Sequence, residues 1–109
     1  MAFDEHLAER IRDEVGDLPG ISAKRMFGGV AFLLHGTMLV GVTGDDMIAR
    51  VGPDAAEECL ALPGTRVFDF TGKVMRGWVV VDGSVLDEDS GLADWIGRAR
   101  EFVETLPPK

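Results

Sequence analysis

The stretch KRMFGGVAFLLHGTMLVGVTGDDMIARVG, residues 24–52, decides the fold. Val30, Phe32 and Leu34 alternate with Ala31 and Leu33, Met38, Val40 and Val42 repeat the pattern, and Met47-Ile48-Ala49-Arg50-Val51 is a third apolar run. A period of two marks strands. His35-Gly36 or Gly36-Thr37 makes the first tight turn and Gly44-Asp45-Asp46 the second, with glycine supplying positive φ. Three strands joined this closely imply an antiparallel meander. Ile21–Lys24 leads into it, and the paired Gly28-Gly29 permits a sharp bend or bulge.

The flanks read as helices. Phe3, Leu7, Ile11 and Val15 recur every fourth residue, one apolar stripe on an amphipathic helix, with Asp4 and Glu5 in its first turn. Gly16 and Asp17–Gly20 end it. Gly52-Pro53-Asp54 opens a short helix whose apolar side is Ala56, Cys59 and Leu60, and Leu62-Pro63-Gly64 stops it. Thr65–Phe70 is a fourth strand, Thr71–Arg76 a loop and Gly77–Asp82 the fifth strand. Ser90 is the expected N-cap of the last helix. Leu92, Trp95, Ile96, Ala99, Phe102, Val103 and Leu106 form its continuous stripe, and Pro107-Pro108 terminates it. The order α-β-β-β-α-β-β-α argues for an α+β fold with one five-stranded antiparallel sheet and helices packed on it.

At 109 residues the chain is one domain, 1–109, long enough to bury a core without staples. No run of 18 apolar residues is present, so no membrane span is expected. The acidic N-terminus is unlike a secretory leader. With one cysteine, Cys59, no internal disulfide can form, which suits a reducing, cytoplasmic setting. The net charge of −8 argues against direct DNA binding, because phosphate neutralisation by Lys and Arg supplies most of that affinity. The acids are concentrated at the ends. Residues 1–23 hold two bases against six acids and residues 79–109 three against seven, whereas 24–78 hold six of each.

No residue set forms a complete catalytic or metal-binding constellation. His6, His35 and Cys59 are isolated, where a zinc site needs about four ligands at matched spacing. Cys59 sits beside Glu57 and Glu58, which would raise a thiol pKa, so it reads as a core residue. Asp87, Glu88 and Asp89 read as a polar loop. Neither catalysis nor a cofactor is expected. Two segments remain, Lys24–Gly29 and Asp69–Trp78, each pairing bases with glycines and large apolar side chains. Glycines let backbone N–H groups approach an anion, and a guanidinium can grip it in bidentate fashion. The candidate ligand or partner site is therefore Lys24, Arg25, Phe27, Gly28, Gly29, Arg50, Thr71, Gly72, Lys73, Arg76 and Trp78. The alternative is that Phe27, Met75 and Trp78 are packing residues with rim charges around them.

These segments also carry a resemblance. RMFGGVAFLLHGTMLVGV, MIARVGPD and LPGTRVFDFTGKVMRGWVVV, followed by a Trp-containing last helix ending LPPK, resemble the N-terminal domain of the TfoX/Sxy family across about Arg25–Lys109. The resemblance implies a five-stranded, secretion-chaperone-like α+β domain. It further implies a non-enzymatic regulatory or protein-interaction module of bacterial competence control, here standing alone without the family's C-terminal helical domain. The expected partner is a protein, such as a transcription regulator. The alternative is a small anionic-ligand-binding domain, or an enzyme, using segments 24–29 and 69–78. Strands with apolar residues on both faces, including Leu33, Trp78 and Val80, also suggest a homodimer that hides a half-covered sheet.

Overall fold

The structure, a computed structural model, describes residues 4–26, 29–70 and 73–106. Helix α1 (Glu5–Val15) starts where the Asp4 side chain accepts hydrogen bonds from the backbone N–H groups of His6 and Leu7, at 2.9 and 3.1 Å. Such a cap satisfies two of the orphan donors at a helix start. Leu7, Ala8, Ile11 and Val15 are its buried stripe. Strands β1 (Ile21–Met26), β2 (Gly29–Leu34), β3 (Thr37–Thr43) and β4 (Asp46–Arg50) follow as an antiparallel meander. His35 and Gly36, with φ of 52° and 82°, form the two-residue turn between β2 and β3. Helix α2 (Pro53–Leu60) precedes β5 (Thr65–Phe70) and β6 (Lys73–Val81), and a 3-10 turn at Gly83–Leu86 leads to α3 (Asp89–Val103).

The expected α+β class and antiparallel sheet stand, but the sheet has six strands among the described residues, not five, in the order β1-β2-β3-β4-β6-β5. The additional strand is β1, expected only as a lead-in. It is an outer strand whose Ser22, Ala23, Lys24 and Arg25 side chains are exposed, so no apolar alternation betrays it. Backbone pairing holds it, from Ile21 opposite Leu34 to Met26 opposite Gly29.

Two boundaries also move. Strand β6 begins at Lys73, inside the expected loop, and its register slips opposite Phe68 so that Val67 faces Val79 while Asp69 faces Val74. Gly77, at φ 86°, lies in that irregular stretch. Helix α3 starts one residue before the expected Ser90 cap, with Glu88 at its N-cap position. Asp82 does the capping nearby, accepting from the Ser84 N–H at the head of the 3-10 turn.

All three helices bury their stripes in one cluster with one sheet face. Ile11, Phe32, Val40, Val42, Met47, Val79, Val81, Trp95 and Ile96 belong to it. Each such side chain removed from water contributes roughly 1.5–3 kcal/mol. The opposite face holds a second cluster, Ala31, Leu33, Met38, Ile48, Phe68 and Val80, built from strand residues alone among the described residues. Leu33 and Val80 are only 8% and 5% exposed, and Trp78 is half-buried. The half-covered face invoked for a homodimer is thus buried within a single chain, and that argument for dimerisation falls away. Among the described residues no helix is long and apolar enough to cross a membrane.

Candidate functional site

Arg50 ends β4 and lies opposite Trp78 of β6 in the ladder. Its guanidinium carbon is 5.2 Å from the Trp78 ring centroid and 5.8 Å from that of Phe102 on α3. Phe68 extends the aromatic group, its ring 6.1 Å from Trp78 at 51°. Local backbone chemistry builds this corner. The Gly77 carbonyl accepts the N–H groups of both Val51 and Gly52 at 2.9 Å, which draws the end of β4 onto the irregular part of β6. Gly52 has φ 89°, and a Cβ there would collide with the Phe102 ring. Glycine at this position therefore lets α3 bring Phe102 against the strand end, and Pro53 then opens α2.

Beside this corner runs an open groove of about 220 Å³ between α2, β5 and β6. Ala56, Leu60, Val67 and Trp78 give it an apolar lining, with Arg76 and Glu57 as its charged groups. Val67, on the outer strand β5, is 45% exposed, the most exposed large apolar side chain among the described residues.

Charge pairing adds to this picture, although Arg12, like the arginines of this corner, has neither an ion pair nor a hydrogen bond among the described residues. Arg10, Arg66, Arg98 and Arg100 each pair with a carboxylate, at 3.1, 2.6, 3.2 and 2.9 Å. Arg50 and Arg76 have neither an ion pair nor a hydrogen bond among the described residues, although the chain carries 19 acids against 11 bases. Five N–H donors per guanidinium are then available to a ligand, and stacking on an indole holds the Arg50 plane in place.

The other expected site residues do not converge here. Lys24 and Arg25 are exposed on β1, the opposite edge of the strand order, and line a separate groove of about 280 Å³ with Glu5, Glu9 and Arg12 of α1. That groove is of mixed charge. Gly29 is buried at the start of β2, where a Cβ would collide with the Val42 carbonyl oxygen, so it serves the close approach of β3. Lys73 opens β6. Phe27, Gly28, Thr71 and Gly72 lie outside the described residues. Of the eleven residues, Lys24 and Arg25 thus belong to a β1 groove, and Arg50, Arg76 and Trp78 to the corner at the β4–β6 junction.

Phe102 and Val67 belong to the corner and do not stand out in the sequence. Phe102 reads there as one more stripe residue, and only its half-burial distinguishes it. An apolar residue on an outer strand beside a turn-rich segment was the available signal for Val67.

Cys59 is buried against α3, as its sequence position suggests. Burial pushes its thiol upward from the ordinary value, and Arg98 partly offsets this through charge and a hydrogen bond. A thiol held protonated is a poor nucleophile. Asp4, Asp45, Asp46, Asp82 and Asp87 border another groove, where Asp46 is already engaged by Arg66 and by the Gly83 N–H. Among the described residues no group of three His, Cys, Asp or Glu side chains is arranged to hold a metal ion.

An antiparallel sheet with helices packed on one face among the described residues, and an arginine–tryptophan stack at the β4–β6 junction, define a small α+β domain. Residues 13–103 match the TfoX N-terminal domain, and the chain belongs to that family. Comparison with curated proteins and with solved structures gave no match.

Proposed function

We propose that this domain is a protein-interaction module of gene regulation, of the kind found in bacterial competence regulators, and that it works by contact, without catalysis. Family membership supports the regulatory part. The observation that carries the contact part is the guanidinium pair of Arg50 and Arg76, without ionic partners among the described residues, around a half-buried indole in a chain of net charge −8. The muted thiol of Cys59 agrees with a non-catalytic role. The partner is a protein such as a transcription regulator, met in the cytoplasm, and the domain is of the secretion-chaperone-like type. A tagged chain recovered from its native cells is expected to bring down one stoichiometric protein, which the Arg50→Gln/Arg76→Gln variant loses. Turnover of a small substrate, abolished by a single substitution, would overturn this reading.

The same guanidinium pair also suits a small anion, which makes an anionic-ligand domain the second reading. A thermal-shift screen with nucleotides and phosphorylated metabolites separates the two, since a ligand at 100 times its Kd adds about 2.7 kcal/mol. The acidic surface disfavours direct DNA binding, and specific sub-micromolar retention in a gel shift at physiological salt would contradict that. A homodimer is a further proposal, and it needs a surface other than the second sheet face. Sedimentation equilibrium at micromolar concentration tests it, a single 11.8 kDa species being the contrary result.

A further inference from the structure

We infer that the groove beside Trp78 receives a short acidic segment of a partner protein, seating one apolar side chain against Val67, Leu60 and Trp78 and a neighbouring carboxylate against Arg50 and Arg76. This rests on the reading of the domain as an interaction module and specifies the chemistry of its contact point.

Three observations point to that occupant. The first is size. At about 220 Å³ the groove falls below the usual 300–1,000 Å³ of small-molecule and cofactor pockets, yet it admits one aliphatic side chain. The second is charge. Arg76 and Glu57 line the groove with Trp78, and Arg50 stands beside it against the Trp78 ring, neither guanidinium having an ionic partner among the described residues. A single carboxylate suits that balance. A phosphate dianion carries more charge than that balance offers, and nucleic acid would meet the acidic remainder of the surface. The third is preorganisation. Arg50 is held between the Trp78 and Phe102 rings, at 5.2 and 5.8 Å, so its planar fork loses little freedom on gripping a carboxylate. Tryptophan and arginine are also the residue types enriched where binding energy concentrates at protein interfaces.

The test is selection of a displayed library of random twelve-residue peptides on the native domain. Counter-selection uses the Arg50→Gln/Arg76→Gln variant, its fold checked by circular dichroism and thermal melting. If the double variant melts early, Arg76→Gln alone replaces it, because Arg76 is exposed. The expected result is enrichment of peptides with an Asp or Glu beside a large aliphatic residue. Synthetic copies should shift the Trp78 indole N–H resonance saturably and bind the variant at least tenfold more weakly. Lysine in place of the acid should abolish binding. Enrichment without acids, equal binding to the variant, or no enrichment overturns the inference. So does inorganic phosphate moving the same resonance equally well, or the resonance moving with the domain's own concentration, which would assign the groove to a second copy. Failure of the broader reading looks different, because substrate turnover refutes the module whatever happens at Trp78, whereas a partner captured through another surface refutes this inference alone.

Discussion

Arg50 and Trp78 face each other across the β4–β6 ladder with the guanidinium carbon 5.2 Å from the indole centroid. This contact links the last residue of the meander to the hairpin beyond α2. A double-mutant cycle with Arg50→Ala and Trp78→Ala should give a coupling energy of about 0.5–2 kcal/mol in urea unfolding. Additive single effects would show that the stack is absent in solution.

Trp95 is 4% exposed in the main cluster, between α3 and the sheet. Trp95→Ala should cost about 3–5 kcal/mol, a large share of a typical domain's stability. Phe102 is half-buried, so Phe102→Ala should cost distinctly less. A loss below about 1 kcal/mol for Trp95→Ala would place the stripe outside the core.

Two glycines should respond in opposite directions. Gly52→Ala meets both a positive φ and the Phe102 ring, and should destabilise by about 1–3 kcal/mol. Gly97 is exposed in α3, and a methyl group added there would have no neighbour within 4 Å. Gly97→Ala should therefore stabilise by about 0.5–1 kcal/mol. Melting temperatures that move the same way would contradict this backbone account.

The Cys59 thiol keeps its proton to higher pH in the folded chain than in the unfolded one, whose ordinary value is 9.0. Its contribution to stability is therefore complete below about that pH and disappears as pH rises through the folded-state value. Unfolding free energy should decline more steeply above pH 9 than it does in Cys59→Ala. Thiol reagents at pH 8 should modify the native protein slowly and the urea-unfolded chain at once.

The meander was legible in the sequence because Val30–Leu34 and Met38–Val42 alternate and glycine turns separate them. Strand β1 was not, since Ser22, Ala23, Lys24 and Arg25 face solvent and the strand exists through its backbone bonds to β2. Apolar residues on both faces of β2 and β6 were plain, but not that Leu33, Ile48, Phe68 and Val80 would be buried within one chain without a described helix over them. Arg50 and Trp78 lie far apart in the chain, and their stacking follows from β6 pairing with β4, which local periodicity does not reveal. The β1 and β6 basic segments look alike as sequence, yet the strand order assigns them to opposite sides of the sheet.

Because β6, not β5, pairs with β4, the sheet consists of two locally wired pieces, β1–β4 and β5–β6, meeting along one junction. Contacts within each piece join near neighbours in the chain and can form quickly, whereas the junction must close a loop containing all of α2 and β5. Docking of the hairpin onto the meander is thus the natural last event in folding. Trimming the junction, as in Val80→Ala or Ile48→Val, should accelerate unfolding while leaving the refolding limb of a chevron nearly unchanged. The Arg50–Trp78 corner lies on this same junction, so a ligand bound there would slow the separation of the two pieces and lengthen the lifetime of the folded chain.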